Sequence, residues 1–195
     1  MNLNTHVKII LIETTSPANI GSTLRAMKTM SFGDLILVNP KNFPDKEVST
    51  LAANAKDLID KIKVVKNLDE ALDGIDFVVA TSSRQRKVPW PCEDLHIASP
   101  KIVKFAEEKS IGLLFGREDR GLTNEELQES KLHIQIPANE NYSVLNLAMS
   151  VQVVCYQLYL DKHLNKPFIK SDIWDVPKAK SLHVQRLINH FIEVA

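Results

Sequence analysis

Short β-branched runs alternate with stretches of helical period along most of this chain, and that alternation restricts the possible folds more than any other feature. Residues 7–13 (VKIILIE) have strand character, and residues 18–30 then place Ile20, Leu24, Met27 and Met30 at helical spacing. Residues 35–38 form a second apolar run, closed by Asn39-Pro40. Residues 48–62 have helical character, 64–65 a weak strand, and 68–72 a short helix ending near Gly74. Strands are expected at 76–80, 111–115 and 132–136. Helices are expected at 99–109, with Pro100 in its first turn, and from Thr123, where Glu126 three residues on makes a capping-box pattern. A long helix is expected over 144–162, beginning near Ser143. This order predicts an α/β fold with a mostly parallel sheet.

No internal repeat or low-complexity segment appears. Residues 165–180 contain Pro167, Pro177 and several lysines and read as a linker, and 182–194 read as one more amphipathic helix. The expected division is a domain over 1–162 and an appendage over 163–195, read as the start of a C-terminal extension or as an element that packs on a partner subunit.

Composition narrows the function. At 195 residues with 44% hydrophobic and 25% charged, the chain can bury a core without staples. Its two cysteines, Cys92 and Cys155, have no metal-ligand spacing and do not suggest an oxidising compartment. Cys155 reads as a buried small hydrophobe and Cys92 as an exposed loop thiol. The N-terminus lacks the basic and apolar regions of a signal peptide. The apolar run 144–160 is broken by Asn146, Ser150, Gln152 and Gln157, too short and too polar to span a bilayer. The expectation is a cytoplasmic protein with no membrane and no metal. A formal net charge of zero excludes binding by bulk positive charge, so any nucleic-acid contact is local.

Four segments are candidates for chemistry. Residues 17–25 (PANIGSTLR) open a helix directly after the first strand, where anions bind, with Arg25 one to two turns in. From spacing alone, a capped helix with one surface arginine is the favoured reading. Residues 114–122 (LFGREDRGL) leave a buried strand, and Gly116 and Gly121 allow a tight turn at the carboxyl end where open α/β sheets bind ligands. An ordinary strand-to-helix turn is the plain alternative. Residues 136–148 (IPANENYSVLNLA) run from a strand into the long helix. A Ser143 cap accounts for most of them, but an amide at Asn146 inside an apolar helix needs a partner. Finally Thr81, Ser82 and Ser83 precede Arg84, Arg86 and Lys87, with Trp90 nearby, a pattern suited to phosphate contact and base stacking or to a solvated loop.

Asn19-x-Gly21-x-x-x-Arg25, Phe115-Gly116-x-Glu118-x-x-Gly121-Leu122, and Ile136-Pro137 through Leu145-Asn146-x-Ala148 resemble, in order, the three signature motifs of SPOUT-class RNA 2'-O-methyltransferases. The likeness covers roughly residues 5–162. Residues 13–14, 25–30, 37–40, 89–91 and 121–127 are similar to the TrmJ-type branch, which acts on tRNA. The resemblance implies a deep C-terminal trefoil knot, S-adenosylmethionine as methyl donor, and a homodimer through the first helix and the helix over 144–162. It implies cofactor contacts at Thr81, Ser82, Ser83, Leu114, Gly116, Gly121, Ile136, Ser143, Val144 and Leu145, with Leu114, Ile136 and Leu145 against the adenine. The family's third motif usually begins with serine, where this chain has Val144.

The implied reaction is attack of a ribose 2'-oxygen on the donor's methyl group, at the first nucleotide of the tRNA anticodon loop. Arg25 is the implied catalytic residue, either as base or as a phosphate clamp that also steadies alkoxide charge; a guanidinium gives up its proton only above about pH 12. Asn19, Glu118 and Asn146 complete the implied catalytic set as orienting residues, with Glu118 pairing a substrate group or a loop arginine. Arg84, Arg86 and Lys87 are the implied RNA contacts. Three other functions compete: a non-catalytic RNA-binding protein on the same scaffold, a 2'-O-methyltransferase of another tRNA site or of ribosomal RNA, and a nucleotide-dependent oxidoreductase. The last predicts a glycine-rich loop after the first strand, and residues 14–19 contain no glycine.

Overall fold

The computed structural model describes residues 6–82, 92–163 and 181–194. Seven strands build one sheet: β1 (Val7–Ile12), β2 (Asp34–Val38), β3 (Lys63–Val65), β4 (Phe77–Thr81), β5 (Cys92–Asp94), β6 (Ile111–Phe115) and β7 (Leu132–Gln135). Their spatial order is β3-β2-β1-β6-β4-β7-β5, and every pairing is parallel. All strands therefore end on one side, where the connecting loops collect.

The helices are α1 (Pro17–Thr29), α2 (Lys46–Ala52), α3 (Leu68–Leu72), α4 (Leu95–Phe105), α5 (Asn124–Gln128) and α6 (Leu147–His163). Side chains alternate across each strand, so β1 serves two cores. Val7, Ile9 and Leu11 join Ile20, Leu24 and Met27 of α1, Ile102 of α4 and Val151 and Val154 of α6. Ile10 and Ile12 join Ala71 of α3 and Leu127 of α5 on the opposite face. A sheet covered on both faces needs the near-continuous apolar strands this sequence has.

Several elements differ from the sequence expectation. Residues 48–62 are not one helix: α2 stops at Ala52, Ala53 takes φ +49°, and a 3-10 segment, Ala53–Lys61, follows. Helix α4 starts at Leu95, so Pro100 lies inside it rather than in its first turn. Cys92 is exposed as expected, but it begins a strand, β5. The long helix begins at Leu147, not near Ser143, and Cys155 is buried within it. Residues 165–180 and Trp90 lie outside the described residues.

The chain divides into compact units over 1–165 and 166–195. In the second, α7 (Ser181–Val194) carries exposed Leu187, Ile188, Phe191 and Ile192. Among the described residues no helix is long and apolar enough to cross a membrane, and no group of three His, Cys, Asp or Glu is placed to hold a metal.

Helix α1 approaches α2 so closely that a Cβ on Gly21 would lie 2.5 Å from the Val48 carbonyl oxygen and 3.0 Å from the Leu51 Cβ. Backbone cannot yield as a side-chain tip can. Alanine normally gains about 1 kcal/mol over glycine inside a helix. Gly21→Ala is nevertheless expected to lower stability by about 1–3 kcal/mol, the usual cost of overpacking. Urea unfolding measures this, and a stabilised variant would contradict the packing argument.

Candidate functional site

Glu118, in the loop after β6, sits against the start of α1. Its Oε1 accepts from the Thr14 hydroxyl at 2.6 Å and from Asn19 Nδ2 at 2.9 Å, and Oε2 accepts from the Thr15 backbone N–H at 3.2 Å. The Ser16 N–H and the Thr15 hydroxyl approach at 3.4 and 3.3 Å. Free N–H groups and the helix dipole make a helix N-terminus an anion site, and here the anion is the chain's own carboxylate. Burial pushes the Glu118 pKa up, but the hydrogen bonds from Thr14, Asn19 and the loop backbone outweigh it and hold the carboxyl below its usual 4.5. Of the two partners expected for Glu118, a substrate group or a loop arginine, the described residues show neither; the carboxylate is held by first-loop donors.

A carboxylate only accepts, so Asn19 must present its amide nitrogen to Glu118 and its oxygen elsewhere. That oxygen accepts from Asn146 Nδ2 at 3.0 Å. Asn146 is thereby turned so that its own Oδ1 accepts from the Ala148 and Met149 N–H groups at 2.9 and 3.4 Å. Asn146 therefore caps α6 in place of the expected Ser143. The partner its amide needed is Asn19, and the two residues join segments 127 positions apart in sequence.

The residue before Glu118 is fixed from the other side. Arg117 Nε donates to Glu13 Oε2 at 2.7 Å, and its two terminal nitrogens meet the Glu126 carboxylate at 2.9 Å each. Glu126 also accepts from the Thr123 N–H at 2.7 Å and closes the capping box of α5. Both carboxylates hold the proton firmly on Arg117, Glu126 more strongly, and Arg117 holds Glu13 below the usual carboxylate range. The turn itself is tight: a Cβ on Gly116 would overlap the Gly121 carbonyl carbon and the Leu122 nitrogen, and Gly121 takes φ +71°.

Beside this turn lies a cleft of about 180 Å³. Of the ten expected cofactor residues, Thr81, Ser82, Gly116, Gly121, Ile136, Ser143, Val144 and Leu145 line it. Leu114 does not. It packs in the layer with α3 and α5, and its carbonyl accepts the Thr81 hydroxyl at 2.9 Å. Its neighbour Phe115, on the opposite side of the strand, lines the cleft instead. Ser83, Arg84, Arg86 and Lys87 lie outside the described residues. Arg25 is exposed on α1 and is not among the residues lining the cleft. The lining mixes hydroxyls and backbone polar groups with Phe115, Ile136, Val144 and Leu145, which suits a ligand joining a flat heterocycle to a hydrogen-bonding sugar and a charged end.

Sequence reasoning missed Thr14, Glu13 and Arg117. The capping box announced Glu126, but its second task, pairing Arg117, carries no sequence signal.

The Glu118 cluster has a pH signature. A carboxyl whose folded pKa lies below 4.5 adds stability above that value and loses it as pH falls through the folded pKa. Glu118→Gln is expected to cost about 1.5–3 kcal/mol at pH 7, where a charged acceptor is lost, and far less near pH 3. Urea unfolding at both pH values tests this; equal costs would mean that the charge does not hold the loop.

Residues 6–156 match the model of the SpoU rRNA methylase family. The tRNA (cytidine/uridine-2'-O-)-methyltransferase TrmJ of Sodalis glossinidius is 49% identical over 153 residues, spanning 78% of this chain and 60% of that protein. Its namesake from Yersinia pestis strain Pestoides F is 42% identical over 194 residues, 95% of this chain and 76% of that one. Among solved structures, a probable methylase family protein from Haemophilus influenzae superposes with a TM-score of 0.77 at 36% identity, covering 96% of this chain and 78% of the other. TrmJ from Z. mobilis gives 0.74 at 28% identity, covering 95% and 78%. The second and third motif segments line one cleft, Asn19 of the first is hydrogen-bonded to both, and the chain belongs to the SpoU methylase family, whose methyl donor is S-adenosylmethionine.

Proposed function

We infer that this chain is an S-adenosylmethionine-dependent RNA 2'-O-methyltransferase acting on tRNA, at the first nucleotide of the anticodon loop, in the cytoplasm. The observation that carries this reading is the 42% identity to a tRNA (cytidine/uridine-2'-O-)-methyltransferase across 95% of the chain. The cleft geometry supports it, since the second and third motif segments line one cavity and Asn19 of the first motif ties them together.

S-adenosylmethionine supplies the electrophilic methyl group. Gly116, Ile136 and Leu145 would hold it, with the hydroxyls of Thr81, Ser82 and Ser143 nearby. Ser143 lines the cleft beside Val144, so a serine hydroxyl is present one position from its place in the motif. Arg25 would clamp an RNA phosphate and steady negative charge on the 2'-oxygen, a role open to a group that stays protonated. Asn19, Glu118 and Asn146 act by holding the loops rather than by exchanging protons with substrate. Arg84, Arg86 and Lys87 would contact RNA phosphates.

Two structural expectations belong to the same reading. The first is a homodimer through α1 and α6. Met149, Val153 and Tyr156, spaced four and three residues apart, make an exposed apolar stripe on α6. The second is the trefoil knot. Strand β7, which precedes α6, lies between the earlier strands β4 and β5.

The test is transfer of labelled methyl from S-adenosylmethionine to unmodified tRNA, with the modified nucleotide mapped by mass spectrometry. The expected product is a 2'-O-methyl group at the start of the anticodon loop. Arg25→Ala and Arg25→Lys are each expected to lower kcat by about 10²-fold or more. Near-normal turnover in both would remove Arg25 from the mechanism. Cofactor binding with no transfer to any tRNA would favour the non-catalytic RNA-binding protein, and transfer elsewhere would reassign the substrate. Neutralising Arg84, Arg86 and Lys87 is expected to weaken RNA binding and flatten its salt dependence, with cofactor binding intact.

A further inference from the structure

We propose that Arg117 is a positioning residue for the methyl donor: its guanidinium locks the turn over 116–122 into the shape that forms the wall of the cofactor cleft.

The turn is held internally by two backbone hydrogen bonds, from Gly121 N–H to the Arg117 carbonyl at 2.9 Å and from Arg117 N–H to the Gly121 carbonyl at 3.3 Å. A pair of bonds between residues four apart leaves such a ring free to rock about the strand end. The Arg117 side chain removes that freedom. Nε is taken by Glu13, next to the end of β1, and the two terminal nitrogens by Glu126, in the first turn of α5. Glu13 is braced in turn by Asn39 Nδ2 at 3.1 Å, beyond the end of β2. The turn is thus tied to two strand ends and a helix.

This arrangement needs arginine. The side chain is 10% exposed, and one planar fork engages two carboxylates from different directions. A lysine ammonium is a point charge without the planar fork that pairs Glu126 through two nitrogens while Nε serves Glu13. The guanidinium is occupied by Glu13 and Glu126 and so is not available to an RNA phosphate; Arg117 borders the cleft together with Gly116 and Gly121, and its effect on the cofactor is to fix that wall. Glu118, the next residue, is held by the first loop, so neighbouring side chains pin the turn from two sides. The functional consequence is selective: losing the clamp loosens the cofactor wall and leaves the RNA-binding groups of the chain unchanged.

The proposal rests on the reading that S-adenosylmethionine occupies this cleft, and the test separates the two. Equilibrium binding of S-adenosylmethionine is measured by calorimetry on the full chain, for wild type, Arg117→Gln, Arg117→Lys, Glu126→Gln and the double variant Arg117→Gln/Glu126→Gln. Binding of tRNA without cofactor and thermal unfolding are measured in parallel. Wild type binds, if the cofactor reading holds; no binding by wild type overturns that reading and this one with it. Arg117→Gln and Arg117→Lys are each expected to weaken cofactor binding at least ten-fold while tRNA affinity stays within two-fold. Glu126→Gln is expected to act in the same direction, and the double variant to be no weaker than its weaker parent, because both remove one clamp. If Arg117→Gln does not fold, Glu126→Gln alone carries the test. Cofactor affinity within two-fold of wild type in the folded variants overturns the proposal. So does equal loss of cofactor and tRNA binding, which marks a general packing role.

Discussion

The Glu118 carboxylate at the start of α1 is the interaction on which the rest of the site depends. Thr14, Thr15, Ser16 and Asn19 would otherwise point polar groups into a half-buried corner. Once the carboxylate is there, the orientation of each partner follows from what it can donate. Asn19 turns its nitrogen inward, Asn146 turns its nitrogen to Asn19, and the oxygen left on Asn146 caps α6. One acceptor-only group thus sets a direction along the whole chain of hydrogen bonds. The three motif segments carry, in this sense, one device rather than three separate catalytic groups.

Its neighbour Arg117 works by a different principle. Glu118 organises polar groups that have no charge of their own, whereas Arg117 joins two carboxylates, one of which, Glu13, is also paired with Lys41 and Arg120. Glu13 and Asn39 both take left-handed backbone, at φ +46°, and their side chains are hydrogen-bonded to each other. Non-glycine residues in that region cost of order 1–3 kcal/mol each and persist only where surrounding contacts over-determine them. The Arg117 clamp is one such contact, so the ends of β1 and β2 and the turn over 116–122 share a single electrostatic brace.

Most of the fold was legible because both strand and helix periods are strong and the strands are apolar on both sides. The parts that were not legible have local physical reasons. The break at Ala53 has no glycine or proline to mark it. Strand β5 is only three residues long, Cys92–Asp94, too short for a period to show. Helix α6 has apolar residues on more than one face, so its start could not be read from periodicity, and its cap turned out to be the amide that looked out of place inside a helix. The lining of the cleft was mostly legible through resemblance, since eight of the ten residues expected at the cofactor lie along it. Leu114 went astray because one step along a strand reverses the face. Thr14, Glu13 and Arg117 stayed hidden because their partners lie 104 residues away in sequence for Thr14 and Glu13, and a single sequence gives no sign of such pairing.

The order of the sheet has a consequence for the chain while it is being made. Strand β1 leaves the ribosome first, but the central neighbour that it needs, β6, follows about a hundred residues later. Thr14 and Asn19 wait as long for Glu118, and Asn19 waits further for Asn146. Until then the first loop has polar groups with no internal partner, and the apolar edge of β1 has nothing beside it but β2. Synthesis proceeds from the N-terminus at about 5–20 residues per second, so this exposed state lasts several seconds. The cleft, lined by residues from 81 to 150, takes shape only when nearly the whole domain has emerged.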